Sequence, residues 1–204
     1  MSSTDAAQRK ITRDGYLWNS ASGMVNAVQS VIILIFITRF AGIEEAGVFS
    51  IAYAIGVLLQ MFATYGVSNF QITDVNGRYS FSDYFWNRGI TVLASLALLS
   101  IYCALKSICG DYSAEKTLIV LLIGAWKLVD STENVFYAMF QQKGRLDIGA
   151  KCYTVRMTAS MVLYCALLAA GVSFTASTAI TLAFSIVLAF ILVKKNFLYS
   201  MSGS

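Results

Sequence analysis

Neither proline nor histidine occurs anywhere in the 204 residues, and only 13% of them are charged. Without histidine the chain lacks the commonest metal ligand and the one side chain that changes charge near neutral pH unaided. Without proline it lacks the usual helix breaker, so any kink has to come from glycine or serine. No GxxxxGK[ST], HExxH or GxSxG motif is present, and no residues stand at metal-ligand spacing. Nothing is left to hydrolyse ATP or to call for a cofactor, and the chain does not read as an enzyme. The four cysteines, Cys103, Cys109, Cys152 and Cys165, form no CxxC pair. They read as small buried hydrophobes in preference to a bridge between Cys103 and Cys109.

What is present is apolar. Hydrophobic residues make up 57% of the chain and the mean hydropathy is +0.67. That composition overrules the one or two soluble domains that the length would suggest. The net charge of +4 is too small and too dispersed to point to nucleic acid. In lipid only helices or closed barrels satisfy the backbone, and long uninterrupted apolar runs exclude a barrel. The fold class expected is all-α integral membrane, with six transmembrane helices forming one lobe.

The spans are expected near Leu17–Phe40, Gly47–Gln71, Tyr84–Ser107, Thr117–Gln141, Ile148–Val172 and Ser177–Val193. Residues 1–14 form a polar lead-in without a signal peptide, 15–195 the membrane lobe, and 196–204 a short tail. Basic residues set the orientation. With the N-terminus inside, Arg9, Lys10, Arg13, Arg78, Arg88, Lys143, Arg145, Lys151, Lys194 and Lys195 are cytoplasmic. Arg39, Lys106 and Lys116 lie outside, so both termini are expected in the cytoplasm.

The fourth span carries the chemistry. Lys127 and Asp130 fall near its midplane and Glu133 about one turn below. Each such charge costs on the order of 2.5–3.5 kcal/mol at a helix centre unless it meets a partner or water. Lys127, Asp130, Ser131, Glu133, Asn134, Tyr137 and Gln141 share an arc of about 160°. Two readings stay open. The charges could neutralise one another as packing glue, or they could line a water-filled cavity, and the second is favoured because three on one face exceed what packing needs. The first span adds Asn19, Ser22, Asn26, Gln29 and Ser30 on one side, and the second adds Gln60, Thr64, Ser68 and Gln71. The Ser and Thr groups read as packing, whereas Asn26, Gln29 and Gln60 suggest a shared polar lumen. Arg156 reads as a residue that snorkels to the cytoplasmic interface. Thr178, Thr181 and Ser185 read as packing.

Two segments carry a resemblance. In RFAGIEEAGVFSIAYAIGVLLQMFATYGVSNFQITDV, Arg39, Gly42, Glu44, Glu45, Gly47, Phe49 and Ser50 follow a basic–Gly–acidic–Gly-x-Phe-Ser pattern. This segment is similar to the first-to-second helix signature of polysaccharide exporters, flippases of the multidrug/oligosaccharidyl-lipid/polysaccharide superfamily. KLVDSTENVFYAMFQQKGRLDIGAKCYTVR (Lys127–Arg156) resembles the fourth-to-fifth helix connection of the branch that makes lipopolysaccharide or capsule. The resemblance implies a V-shaped transporter of two six-helix lobes around a cationic cavity. Its cargo would be an undecaprenyl-pyrophosphate-linked oligosaccharide, moved between leaflets of the cell membrane for surface polysaccharide synthesis. Asn26, Gln29, Arg39, Lys127 and Asp130 would line that cavity, and with Gln60, Glu133 and Asn134 they make up the candidate site.

One lobe offers half a cavity. The expectation is therefore a truncated gene product, a homodimer, or a separately encoded second lobe. Two carboxylates against one lysine on the fourth span also depart from a cationic lumen. The alternatives are a cation-coupled exporter, with Asp130 and Glu133 binding Na⁺ or H⁺, and a non-transporting membrane remnant that scaffolds other enzymes.

Overall fold

In the computed structural model the chain is a bundle of six long helices and one short one, with no strand among the described residues. The backbone is described for residues 3–74 and 76–202, and the side chains for 9–74 and 76–197. The helices are α1 (Ser3–Phe40), α2 (Ile43–Thr64), α3 (Val67–Thr73), α4 (Phe81–Ile108), α5 (Ala114–Gln142), α6 (Leu146–Ala169) and α7 (Phe174–Ser202). Five candidate spans are long and apolar enough to cross a membrane: 9–40, 43–73, 81–108, 146–169 and 174–197. That is the character of a multi-pass membrane protein. The remaining long helix, α5, differs because its centre carries the charges.

The expected lead-in and tail both continue into helix: α1 runs back to Ser3 and α7 on through Ser202. The side chains of residues 1–8 and 198–204 lie outside the described set.

Turn chemistry places the helix ends. Ser80 and Asp83 form a capping box at the start of α4, each side chain accepting from the other residue's backbone amide. The Ser113 hydroxyl accepts from the Lys116 amide at the start of α5. The second expected span is not one helix. Tyr65 (φ 42°) and Gly66 (φ 65°) both adopt the left-handed conformation and separate α2 from α3. Gly66 takes that conformation freely. In a chain without proline, the break comes from glycine.

α5 is the axis of the bundle and packs against α2, α3, α4, α6 and α7, while α1 lies on α6 and α2. The apolar core is built from Ile33, Ile37, Phe49, Leu99, Ile123, Trp126 and Tyr164. Outward faces carry large exposed hydrophobics such as Leu58, Ile90, Leu93 and Phe190. A lipid environment accommodates such faces; water does not. All four cysteines are free, and Cys103, Cys152 and Cys165 are buried as expected. Cys109 is instead exposed, because it follows the last turn of α4.

Candidate functional site

Lys127, Asp130 and Glu133 follow one another at the helical spacing that keeps them on one side of α5. All three are buried. Lys127 Nζ donates to Asp130 Oδ2 at 2.6 Å. The fourth member comes from α6. Arg156 Nη2 donates to Asp130 Oδ1, its Nε to Glu133 Oε2 at 2.5 Å, and its Nη1 to Ser185 Oγ of α7 at 2.8 Å.

Two cations therefore face two carboxylates, and the network is neutral as a whole. Lys127 also lies 5.2 Å from the Tyr53 ring centroid, and Arg156 lies 5.6 Å from that of Tyr153. Arg156 falls near the middle of α6, about 15 Å along the axis from its first residue, and is completely buried. The snorkelling expected from sequence is thus corrected. Two carboxylates about one turn apart on α5 hold the guanidinium inward, and its planar fork serves three acceptors at once. Ser185 likewise does more than pack.

Beside this network lies a polar crevice of about 310 Å³ between α1, the α2–α3 break, α5 and α6. Its lining includes Asn19, Gln60, Ser68, Asn69, Asn134, Tyr137, Gln141 and Tyr153, and Asp130 is the one charged group among them. The lining comes from the middle of α1, the end of α2, α3, the second half of α5 and the first half of α6. The crevice therefore belongs to the end of the bundle where α1 begins.

The helix break supplies part of this wall and is held by a buried arginine. Arg88 of α4 donates to the Ala63 carbonyl at 2.6 Å and to Ser68 Oγ at 2.7 Å, and reaches Asn134 Oδ1 at 3.3 Å. Thr91 Oγ1 donates to the same carbonyl at 2.8 Å. Ser68 Oγ also donates to Asn134 Oδ1. A carbonyl freed at the end of α2 is thus satisfied inside the protein, as it has to be at membrane depth.

Of the residues singled out from sequence, Gln60, Asp130 and Asn134 meet in the crevice wall. Lys127 and Glu133 sit in the ion network and do not line it. Asn26 Oδ1 accepts from the Tyr153 hydroxyl at 3.3 Å, at the edge of the same region. Gln29 is buried. Arg39 lies exposed in the last turn of α1, toward the opposite end from the crevice. Sequence reasoning missed Arg88 and Arg156 as structural centres. A cation deep in an apolar helix was the available signal, but its partner on another helix is invisible in one dimension. Compared with known proteins, the chain matches no family model, no curated protein and no solved structure.

Proposed function

We propose that this chain is one lobe of a membrane translocator for a lipid-linked oligosaccharide of the undecaprenyl-pyrophosphate type. In this reading it lies in the cell membrane with both ends cytoplasmic, and α5 is a sixth crossing. At 29 residues α5 is about 43 Å long, enough to span. Pairing within the bundle offsets the cost of its charges.

The observation that carries the reading is the crevice lining. Primary amides, hydroxyls and tyrosines are groups that hydrogen-bond and stack against sugars, and here they converge between apolar helices at the expected cytoplasmic end. Among the described residues no cation lines the crevice, so the sugar portion is the part of the cargo that it suits. The pyrophosphate would be met elsewhere. Asn19, Asn69 and Gln141 are exposed on the crevice side, which leaves a face for a second copy or a separately encoded lobe to close.

Deleting the gene in its host and complementing with variants tests this. Loss of surface polysaccharide, restored by the natural chain and not by Asn134→Leu or Gln60→Leu, is the expected result. Normal polysaccharide combined with sensitivity to cationic dyes would overturn it. That outcome would favour a cation-coupled exporter, a second reading supported by Asp130 being the one charged group among the described residues of the crevice.

A further inference from the structure

On the opposite flank of α5 lies a second cavity, of about 600 Å³, with the reverse chemistry. α4 and α7 both pack against α5 and leave a groove between them with α5 as its floor. Val92, Leu96, Val129, Phe136, Ile186 and Phe190 give its character. Its few polar lining groups are Thr132, Glu133 and Lys194. Thr132 donates to its own helix at Leu128 O (3.0 Å), and Glu133 gives one carboxylate oxygen, Oε2, to Arg156. Lys194 is exposed, over the Phe190 ring at 5.8 Å, and no carboxylate pairs with it among the described residues.

The dimensions are those of one leaflet. From Leu182, near the middle of α7's apolar stretch, to Lys194 is twelve residues, or about 18 Å of helix. Half of the roughly 30 Å hydrocarbon core is about 15 Å. Lys194 thus stands where lipid phosphates lie. At the same end Phe81, Phe85, Phe136 and Phe197 cluster with centroids 5.4–6.3 Å apart, an apolar wall beside the groove. The volume is about twenty times the share of a water molecule in the liquid, roughly 30 Å³. A chain methylene takes a similar space, so the groove has room for one chain of fatty-acid length.

We propose that the α4–α7 groove is a binding site for an anionic phospholipid, with one acyl chain along α5 and the phosphate on Lys194. The site is independent of what the crevice carries, because crevice and groove lie on different faces of α5 and share no described lining residue. A second copy of the chain would need to insert a helix, and a helix about 10 Å across is wider than a slot with room for a single chain.

The test uses the full chain in bilayers of phosphatidylcholine with a minor share of phosphatidylglycerol. Each lipid is supplied in turn with a photoreactive acyl chain, and adducts are mapped by peptide mass spectrometry. Phosphatidylglycerol adducts are expected to concentrate on Val92, Leu96 and Val129, which line the groove half-buried, over the exposed control positions Ile90 and Leu93. K194Q should lower the preference for phosphatidylglycerol over phosphatidylcholine roughly five-fold, the effect of about one interfacial charge, and leave the fold intact. A189W should fill the groove and remove its adducts while the control positions keep theirs. Equal labelling of groove and control positions, or no headgroup preference in the natural chain, would overturn the proposal. So would a disulfide between two copies of an Ile186→Cys variant, which would put a second copy in the groove.

Discussion

Gly56 of α2 lies against the stem of Lys127. A Cβ built at Gly56 would fall 2.9 Å from Lys127 Cγ and 3.1 Å from its Cβ. The contact is made by the first atoms of the lysine side chain, which cannot swing aside as the ammonium end could. The absence of a side chain on α2 therefore lets α2 and α5 close while Lys127 turns to Asp130.

G56A is expected to destabilise the bundle by about 1–3 kcal/mol, the range for forcing a methyl group into a packed contact. Reversible unfolding in mixed micelles measures it. Unchanged stability would mean that the helices separate here at no cost, and the close approach would not matter.

Arg88 offers a second prediction. R88M keeps the bulk of the side chain and removes the donors to Ala63 O and Ser68 Oγ. Losing hydrogen bonds from a charged donor costs about 1.5–3 kcal/mol. The loss should appear locally, as faster amide exchange across residues 63–69, because Thr91 alone then donates a side-chain bond to the Ala63 carbonyl. Uniform loss of protection across all helices would contradict a local role.

Much of the architecture could be read from composition. Long apolar runs mark five helices that can span, turn residues such as Gly42 and Ser80 stand at the starts of two of them, and Ser113 stands at the start of α5. The break at Tyr65–Gly66 lay inside an apolar run, and Gly66 alone did not distinguish a break from a packing glycine. For the site, the periodic pattern placed Lys127, Asp130 and Glu133 on one face but not what that face meets. Arg156 decides that, and it stands 23 residues from Glu133 on a different helix. Helical periodicity reports on one helix at a time, whereas ion pairing depends on register between helices. The neutral members of the polar stripes, Gln60 and Asn134, reach the crevice. The charges turn to one another, and of Lys127, Asp130 and Glu133 only Asp130 also reaches the crevice.

A pH prediction concerns Asp74, in the turn after α3. Its carboxylate accepts from the Arg78 amide at 3.0 Å, the Tyr84 hydroxyl at 2.8 Å and the Tyr79 amide at 3.2 Å. These bonds, that from Arg78 foremost, hold the carboxyl below its ordinary value of 3.8. Because the folded value is depressed, the contribution is complete above the unfolded value and fades as pH falls through the folded one. The turn should hold at neutral and mildly acid pH and loosen only below 3.8. D74N should loosen it at neutral pH. Protection of the Arg78 and Tyr79 amides against exchange is the readout, and its loss in the natural chain well above pH 3.8 would contradict the assignment.

The ion network yields the sharpest expectation, because removing one member leaves the others stranded. Arg156 is fully buried and serves both Asp130 and Glu133. R156Q leaves two carboxylates with Lys127 alone, a net negative charge in the middle of the bundle. Breaking a buried pair in this way costs about 3–5 kcal/mol, mostly from the uncompensated charge. R156Q/E133Q restores neutrality by keeping Lys127 with Asp130, and it should be markedly more stable than R156Q. R156K keeps the charge but not the planar fork, so it should fall between the natural chain and R156Q. Unfolding of these four proteins and of E133Q in the same micelles gives the comparison. If R156Q/E133Q lost as much as R156Q and E133Q combined, the two side chains would be acting independently. The carboxylates would then have found water in place of the guanidinium, and the neutral network would not be what keeps α5 at the centre of the bundle.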